Sequence, residues 1–313
     1  MHEPAGDSMT EKRPKVPSPA ANTDLLSGAS EAQTRDAFKD SELVIALAGA
    51  VGTDLSIVTK LLEQRLRRAG YKVVHVPIAD KVIELIVPGD STIVPTTDRG
   101  SENFQQASFK MTRGTLAREL SKENAILALG TASVIHHHRS KDAEGKPEIA
   151  KRNAYIIKSL KHPDEVLELR HVYHQSFYLI GVHSDRIHQI DFLVETKGMK
   201  RSEAETLIER DRNENLIHGQ HLVDTFHMSD FFVRLGEKPQ ELRDKIWRFL
   251  SLLFANPHCT PEFEEYAMFL AFAASLRSKA LARQVGAVIA RNKEVLSTGA
   301  NDLPLYGGGL HWA

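Results

Sequence analysis

The spacing of apolar positions along the chain separates strands from helices. From Leu43 to Ala48 every residue is apolar, the mark of a strand buried on both faces. A glycine turn follows, Gly49-Ala50-Val51-Gly52-Thr53-Asp54-Leu55-Ser56. Leu55, Val58, Leu62 and Leu66 then recur at helical spacing, and Arg65, Arg67 and Arg68 fall in the last turn, where they oppose the negative end of the helix dipole. Gly70 supplies a stop, and Tyr71 to Pro77 is the next strand. Strand, glycine turn, helix, strand is a βαβ unit, so the fold class is α/β with a parallel sheet. The same reasoning predicts strands at Ala125–Leu129, Asn153–Leu160, Ser176–Val182 and Asp230–Arg234. It predicts helices near Ile83, through Met111–Leu120, from His162-Pro163-Asp164 to Tyr173, and over Asp185–Glu195, Ser202–Arg212 and Lys238–Ala255. Asn256-Pro257-His258 punctuates a boundary.

Beyond that boundary, Thr260 to Ala313 predicts one buried helix, a β-hairpin and a glycine-rich loop. Thr260 suits an N-cap and Pro261 the first helical position. Phe263, Ala267, Leu270 and Ala274 line one side of the helix, and Phe269, Phe272 and Leu276 another. A helix apolar nearly all round predicts a core position. Gln284–Ala290 and Glu294–Gly299 read as strands about a polar turn at Arg291–Lys293. Residues 1–40 are polar and Pro-rich and read as a disordered tail, which leaves 41–256 and 257–313 as two folded parts.

Composition narrows this picture. Apolar content and charge are ordinary for a globular chain, and 313 residues suit about two domains. A net charge of −1 gives no long-range field for nucleic acid or an anionic membrane, though a local basic cluster can still bind a nucleotide. No apolar run is long enough for a membrane span, and no signal-peptide pattern opens the chain, so the expected location is cytoplasmic. One cysteine, Cys259, rules out an internal disulfide and a Cys-based zinc site.

Candidate chemistry centres on the glycine turn. A P-loop, G-x-x-x-x-G-K-[ST], cradles phosphates with amides and neutralises them with its Lys. Here Gly49 and Ser56 hold the outer positions, but Asp54 replaces the second Gly and Leu55 the Lys. A degenerate P-loop of this kind argues against phosphoryl transfer. The amides of Gly52 and Thr53 at a helix N-terminus can still hold an anion, so Gly49, Gly52, Thr53 and Ser56 are the candidate nucleotide-binding residues. A plain βα turn without ligand is the alternative. Glu209-Arg210-Asp211-Arg212 reads either as a phosphate-binding lid or as a solvated helix face. His136-His137-His138 reads as a solvated loop. His218, His221 and His227, with Asp224, make a weak metal candidate, and no metal ligands are assigned.

The terminal stretch, with "RQVGAVI" and "STGAN" set at matching distances from the preceding helix, resembles the opening of a dCMP/dCTP-type zinc deaminase domain. With "KSLKHPDEVLELRHVY", "FYLIGVHS", "LIERDRNE" and "GQHLVDTFHMSDFFV" ahead of it, the chain from about Glu42 onward resembles the anti-phage dCTP deaminase family. The resemblance implies a P-loop-kinase-like domain that regulates a following zinc deaminase domain converting deoxycytidine nucleotides to deoxyuridine nucleotides, in a protein that is oligomeric when complete. It implies substrate-binding roles for Arg283, at a position that contacts phosphate, and Asn301, at one that contacts deoxyribose, with Arg277 and Ser278 in the helix-end motif. The H-x-E and P-C-x-x-C motifs that hold zinc and move protons are absent, so no catalytic residue is assigned. One helix and two strands fall short of a full deaminase sheet, which leads to the expectation of a chain cut short. The alternative is a non-catalytic, nucleotide-sensing pseudo-kinase module acting with a partner.

Overall fold

A computed structural model describes residues 41–87, 100–139, 151–213, 221–236, 238–301, 303 and 305–307. The predicted tail at 1–40 and His218 lie outside the described residues. The chain divides into two units between Ala255 and Asn256.

The first unit is built on five strands: β1 (Leu43–Gly49), β2 (Lys72–Pro77), β3 (Asn153–Lys158), β4 (Phe177–His183) and β5 (Phe231–Arg234). All pair in parallel, in the order β2-β3-β1-β4-β5. The central β1 is buried along its whole length. Its side chains alternate between two cores, as the pleat requires. Val44, Ala46 and Ala48 pack on the face covered by helices α3 (Glu102–Ser121), α4 (Ile126–His138) and α5 (Pro163–Tyr173), through Ala117, Leu127, Ile135 and Leu169. Leu43, Ile45 and Leu47 pack on the other face against α1 (Leu55–Arg68) and α9 (Pro239–Leu253), through Leu62, Leu66, Ile246 and Leu250. A single turn, α2 (Ile83–Ile86), precedes α3. This is the parallel α/β sheet expected of a P-loop-kinase-like domain.

A third core joins α3 to α6 (Arg186–Asp191) and α7 (Arg201–Asn213) through Phe104, Met111, Ile190, Leu207 and Ile208. Val51 of the glycine turn packs on it. The short α8 (Leu222–His227) leads into β5.

The sheet order decides where a ligand fits. From β1 the chain passes through α1 to β2 on one side, whereas the β3 to β4 connection crosses to the other. The carboxyl end of β1 is therefore the point where strand order reverses, the usual ligand crevice of an open parallel sheet.

One predicted strand is a helix. Ala125–Leu129 opens α4, in which Leu127, Ala128, Thr131 and Ile135 are buried. A short apolar run does not distinguish a buried strand from a buried helix; here the buried positions continue at helical spacing past Gly130. His136, His137 and His138 are solvent-exposed, but in the last turn of this helix rather than in a loop.

The second unit holds α10 (Phe263–Ser275) and an antiparallel hairpin of β6 (Gly286–Arg291) and β7 (Glu294–Ala300). The N-cap of α10 is Glu262, which forms a capping box with Glu265, so Thr260 and Pro261 precede the helix instead of starting it. The expected core helix is also corrected. No residue of α10 is buried, and Met268 and Phe269 are 70% and 63% exposed. The hairpin covers only part of the apolar circumference. It meets α10 closely at Gly286, where a Cβ would lie 1.8 Å from the carbonyl oxygen of Ala271.

Candidate functional site

The glycine turn is shaped by its own hydrogen bonds. Thr53 N donates to Ala50 O at 3.0 Å and closes the turn. Gly52 has φ +84°, and a Cβ there would lie 2.7 Å from Gln189 O of α6. Only glycine meets both conditions without strain. Asp54 is the N-cap of α1: its carboxylate accepts from Ser56 N at 3.0 Å and from the Ser56 hydroxyl at 2.5 Å. This carboxylate therefore serves the helix end. Ser56 is engaged by it and does not line the cleft, whereas Gly49, Gly52 and Thr53 do.

Leu55 takes the place of the P-loop lysine and packs against the sheet core. A lysine reaches the turn from another element. β3 ends at Lys158, and Ser159 turns the chain with φ +70°. The amides of Ser159 and Leu160 both donate to Leu47 O at 3.0 Å, which pins this turn to β1. Lys161 then extends to the glycine turn, where Nζ donates to Gly49 O at 3.0 Å. The same Nζ meets Asp211 of α7, at 2.9 Å to Oδ1 and 3.1 Å to Oδ2. Val51 N donates to Asp211 Oδ2 at 2.7 Å. Lys161 and Asp211 are 13% and 2% exposed, so this pair is shielded from water.

The charge cluster around Asp211 is not a solvated helix face, since Asp211 is 2% exposed. Arg210 is tied to α3, donating to Ser108 Oγ at 2.9 Å and Thr112 Oγ1 at 3.0 Å. Glu209 accepts from Arg186 at 3.3 Å on the surface. The Arg212 side chain lies outside the described residues.

Above the turn lies a cleft of about 280 Å³. Lys110, Arg118, Lys158 and Lys161 line it, together with the apolar side chains of Ile78 and Met111, and no carboxylate does among the described residues. Arg118 and Glu165 form an almost fully buried pair, 2% and 1% exposed, with Arg118 Nη2 donating to Glu165 Oε1 at 2.6 Å. Glu165 Oε2 also accepts from Lys161 N at 3.0 Å and His162 N at 3.2 Å, so one carboxylate fixes both Arg118 and the Lys161 backbone. His162 Nδ1 accepts from Asp164 N at 3.1 Å, completing the cap of α5. Burial, and then the Arg118 charge, hold the His162 imidazole below its ordinary pKa. Two buried polar atoms of the cleft lining, Arg118 Nη1 and Thr53 Oγ1, have no hydrogen-bond partner in the structure. Such atoms are costly unless a ligand or water meets them.

In the second unit, Ser278, Arg283 and Asn301 converge. Asn301 Oδ1 accepts from Val285 N at 2.7 Å and from Ser278 Oγ at 2.8 Å, while Nδ2 donates to Arg283 O at 2.7 Å. Asn301 thus clamps the segment between α10 and β6 to the end of β7. Ser278 is buried, Arg277 half-buried and Arg283 exposed. Among the described residues no three His, Cys, Asp or Glu side chains converge to hold a metal ion, so these residues do not fit a zinc site and no zinc-dependent step is derived. His221 lies against His162, with ring centroids 5.1 Å apart. No helix among the described residues is long and apolar enough to cross a membrane.

Lys161 and Arg118 are functional candidates that sequence reasoning missed, and Asp211, read there within the Glu209–Arg212 cluster, is placed at the glycine turn only by the fold. The available signal was position: a lysine just beyond the carboxyl end of a parallel strand stands at the ligand edge. The Glu209–Arg212 cluster marks Asp211 locally, but nothing local marks its pairing with Val51, 160 residues away.

No protein-family model matches the sequence, and no curated protein matches it. Solved structures with a similar backbone include a gluconokinase from Sinorhizobium meliloti 1021, at 15% identity and a TM-score of 0.36, covering 71% of this chain and 97% of that one. TT1252 from Thermus thermophilus matches at 12% identity and a TM-score of 0.38, covering 68% of this chain and 97% of that one. Dephospho-CoA kinase from Campylobacter jejuni matches at 9% identity and a TM-score of 0.30, covering 68% and 97%.

Proposed function

We propose that the sheet unit is a nucleotide-binding module that does not transfer phosphoryl groups. The observation that carries this reading is the cleft at the β1 carboxyl end. Four cationic side chains line it, over an apolar wall, and two of its lining residues, Arg118 and Thr53, each carry a buried polar atom without a hydrogen-bond partner. A phosphorylated ligand with an apolar or aromatic body, such as a nucleotide, satisfies both parts of such a site. Transfer is disfavoured because Leu55 stands in the position of the P-loop lysine and Ser56, in the position of the magnesium-binding hydroxyl, is held by Asp54. Calorimetric titration of the full chain with a panel of deoxynucleoside triphosphates and ATP tests the reading. Saturable binding of at least one member, without phosphate release, is the expected result; no binding by any member overturns it.

The sequence resemblance extends the proposal to the hairpin unit, taken as part of a deoxycytidine nucleotide deaminase of the anti-phage defence type. The convergence of Ser278, Arg283 and Asn301, with the Arg283 side chain exposed for a substrate phosphate, supports this. Zinc and the proton-moving Glu have no counterpart among this chain's residues. The extension therefore assigns this unit substrate contacts and no chemistry, and Arg283→Ala is expected to weaken binding of dCTP or dCMP by this chain. Binding unchanged by Arg283→Ala overturns the extension.

A further inference from the structure

The glycine turn beneath the proposed cleft already holds an anion, the Asp211 carboxylate, which does not itself line the cleft. A phosphate in a glycine turn takes hydrogen bonds from turn amides and charge from a lysine. Asp211 receives both: the amide of Val51 at 2.7 Å and the ammonium of Lys161 at 2.9 Å. Its own helix explains neither contact, because α7 is anchored independently by Leu207 and Ile208 in the third core and by Arg210 on α3. We infer that Lys161 replaces the missing P-loop lysine and that Asp211 is a resident stand-in for a ligand's phosphate, which an incoming phosphate group must displace to bind. This rests on the nucleotide-binding reading and adds its regulation.

The physical argument is competition. The Asp211 carboxylate and an incoming phosphate are both anionic, and a shielded site strengthens their repulsion. Val51 N is a single donor, and Lys161 cannot neutralise both groups at once. Binding therefore requires Asp211 to withdraw, and the apparent affinity is lowered by the fraction of molecules in which it has done so. Withdrawal moves the end of α7, which carries Arg210 and its two bonds to α3. Occupancy of the turn is thereby linked to the contact between α7 and α3.

The test titrates inorganic pyrophosphate and dCTP into the wild-type 313-residue chain and into Asp211→Asn and Lys161→Met. Asp211→Asn removes the competing charge and should bind about tenfold tighter or better, the scale of one lost charge-assisted hydrogen bond. Lys161→Met should lose detectable binding. Equal or weaker binding by Asp211→Asn, with wild-type binding intact, overturns this inference and leaves the nucleotide-binding reading standing. Absence of binding by both proteins overturns the two together. Hydrogen exchange on the wild type gives a measurement independent of variant folding. Saturating ligand should raise exchange over residues 207–211 while Val51 stays protected. Increased protection of 207–211 would show that Asp211 remains in place beside the ligand, against the inference.

Discussion

At the level of single residues, the region behind the cleft depends on one buried carboxylate. Glu165 holds Arg118 and accepts two backbone amides. Removing one partner of a buried pair leaves a charge without compensation and costs about 3–5 kcal/mol. Arg118→Ala is therefore expected to lower unfolding free energy by roughly that amount in denaturant titration, and a loss under about 1 kcal/mol would contradict the packing described. His162 makes a pH-dependent contribution, and its neighbours Arg118, Glu165, Asp164 and His221 all face it. Its folded pKa is depressed, so the unfolded chain takes up a proton near the ordinary histidine value while the folded chain does not. Stability from this group is complete above that value and falls as pH drops below it, until the folded imidazole is itself protonated. His162→Asn keeps a capping acceptor and should flatten the fall in stability between about pH 7 and pH 5. An unchanged slope would place the titration elsewhere.

At the level of elements, alternation and capping made most of the fold legible. The strand–turn–helix at Leu43–Arg68 and the helix opened by His162-Pro163 follow from local chemistry alone, and both stand where the sequence predicts them. α4 was misread because its first residues are apolar on every side, and a sheet-covering helix looks locally like a buried strand. α10 was misjudged for the opposite reason: apolarity all round predicts burial, but burial depends on neighbours that periodicity does not reveal. The hairpin's registration against α10 rests on Gly286. Gly286→Ala places a methyl group against the Ala271 carbonyl and should destabilise the hairpin unit by about 1–3 kcal/mol, the usual cost of overpacking. Amide exchange over 286–300 measures this directly, and wild-type protection in the variant would contradict the close approach.

For the whole molecule, the candidate site was legible in place but not in content. The glycine turn after a central strand marked the ligand edge, and the degenerate motif argued against transfer. Missing from that picture were the lysine just beyond β3 and the place of Asp211 at the glycine turn, because tertiary folding brings together residues that carry no shared local pattern. The Leu55 substitution is the clearest example: read alone it removes the phosphate's counter-charge, while in the fold Lys161 restores one at the same turn. Binding without chemistry is therefore the central claim. Its most direct test is calorimetric titration of the 313-residue chain with dCTP and ATP, accompanied by a phosphate-release assay on the same samples. Saturable binding of at least one nucleotide with no phosphate released is the predicted result. No heat of binding for any nucleotide, or steady phosphate release, would contradict it.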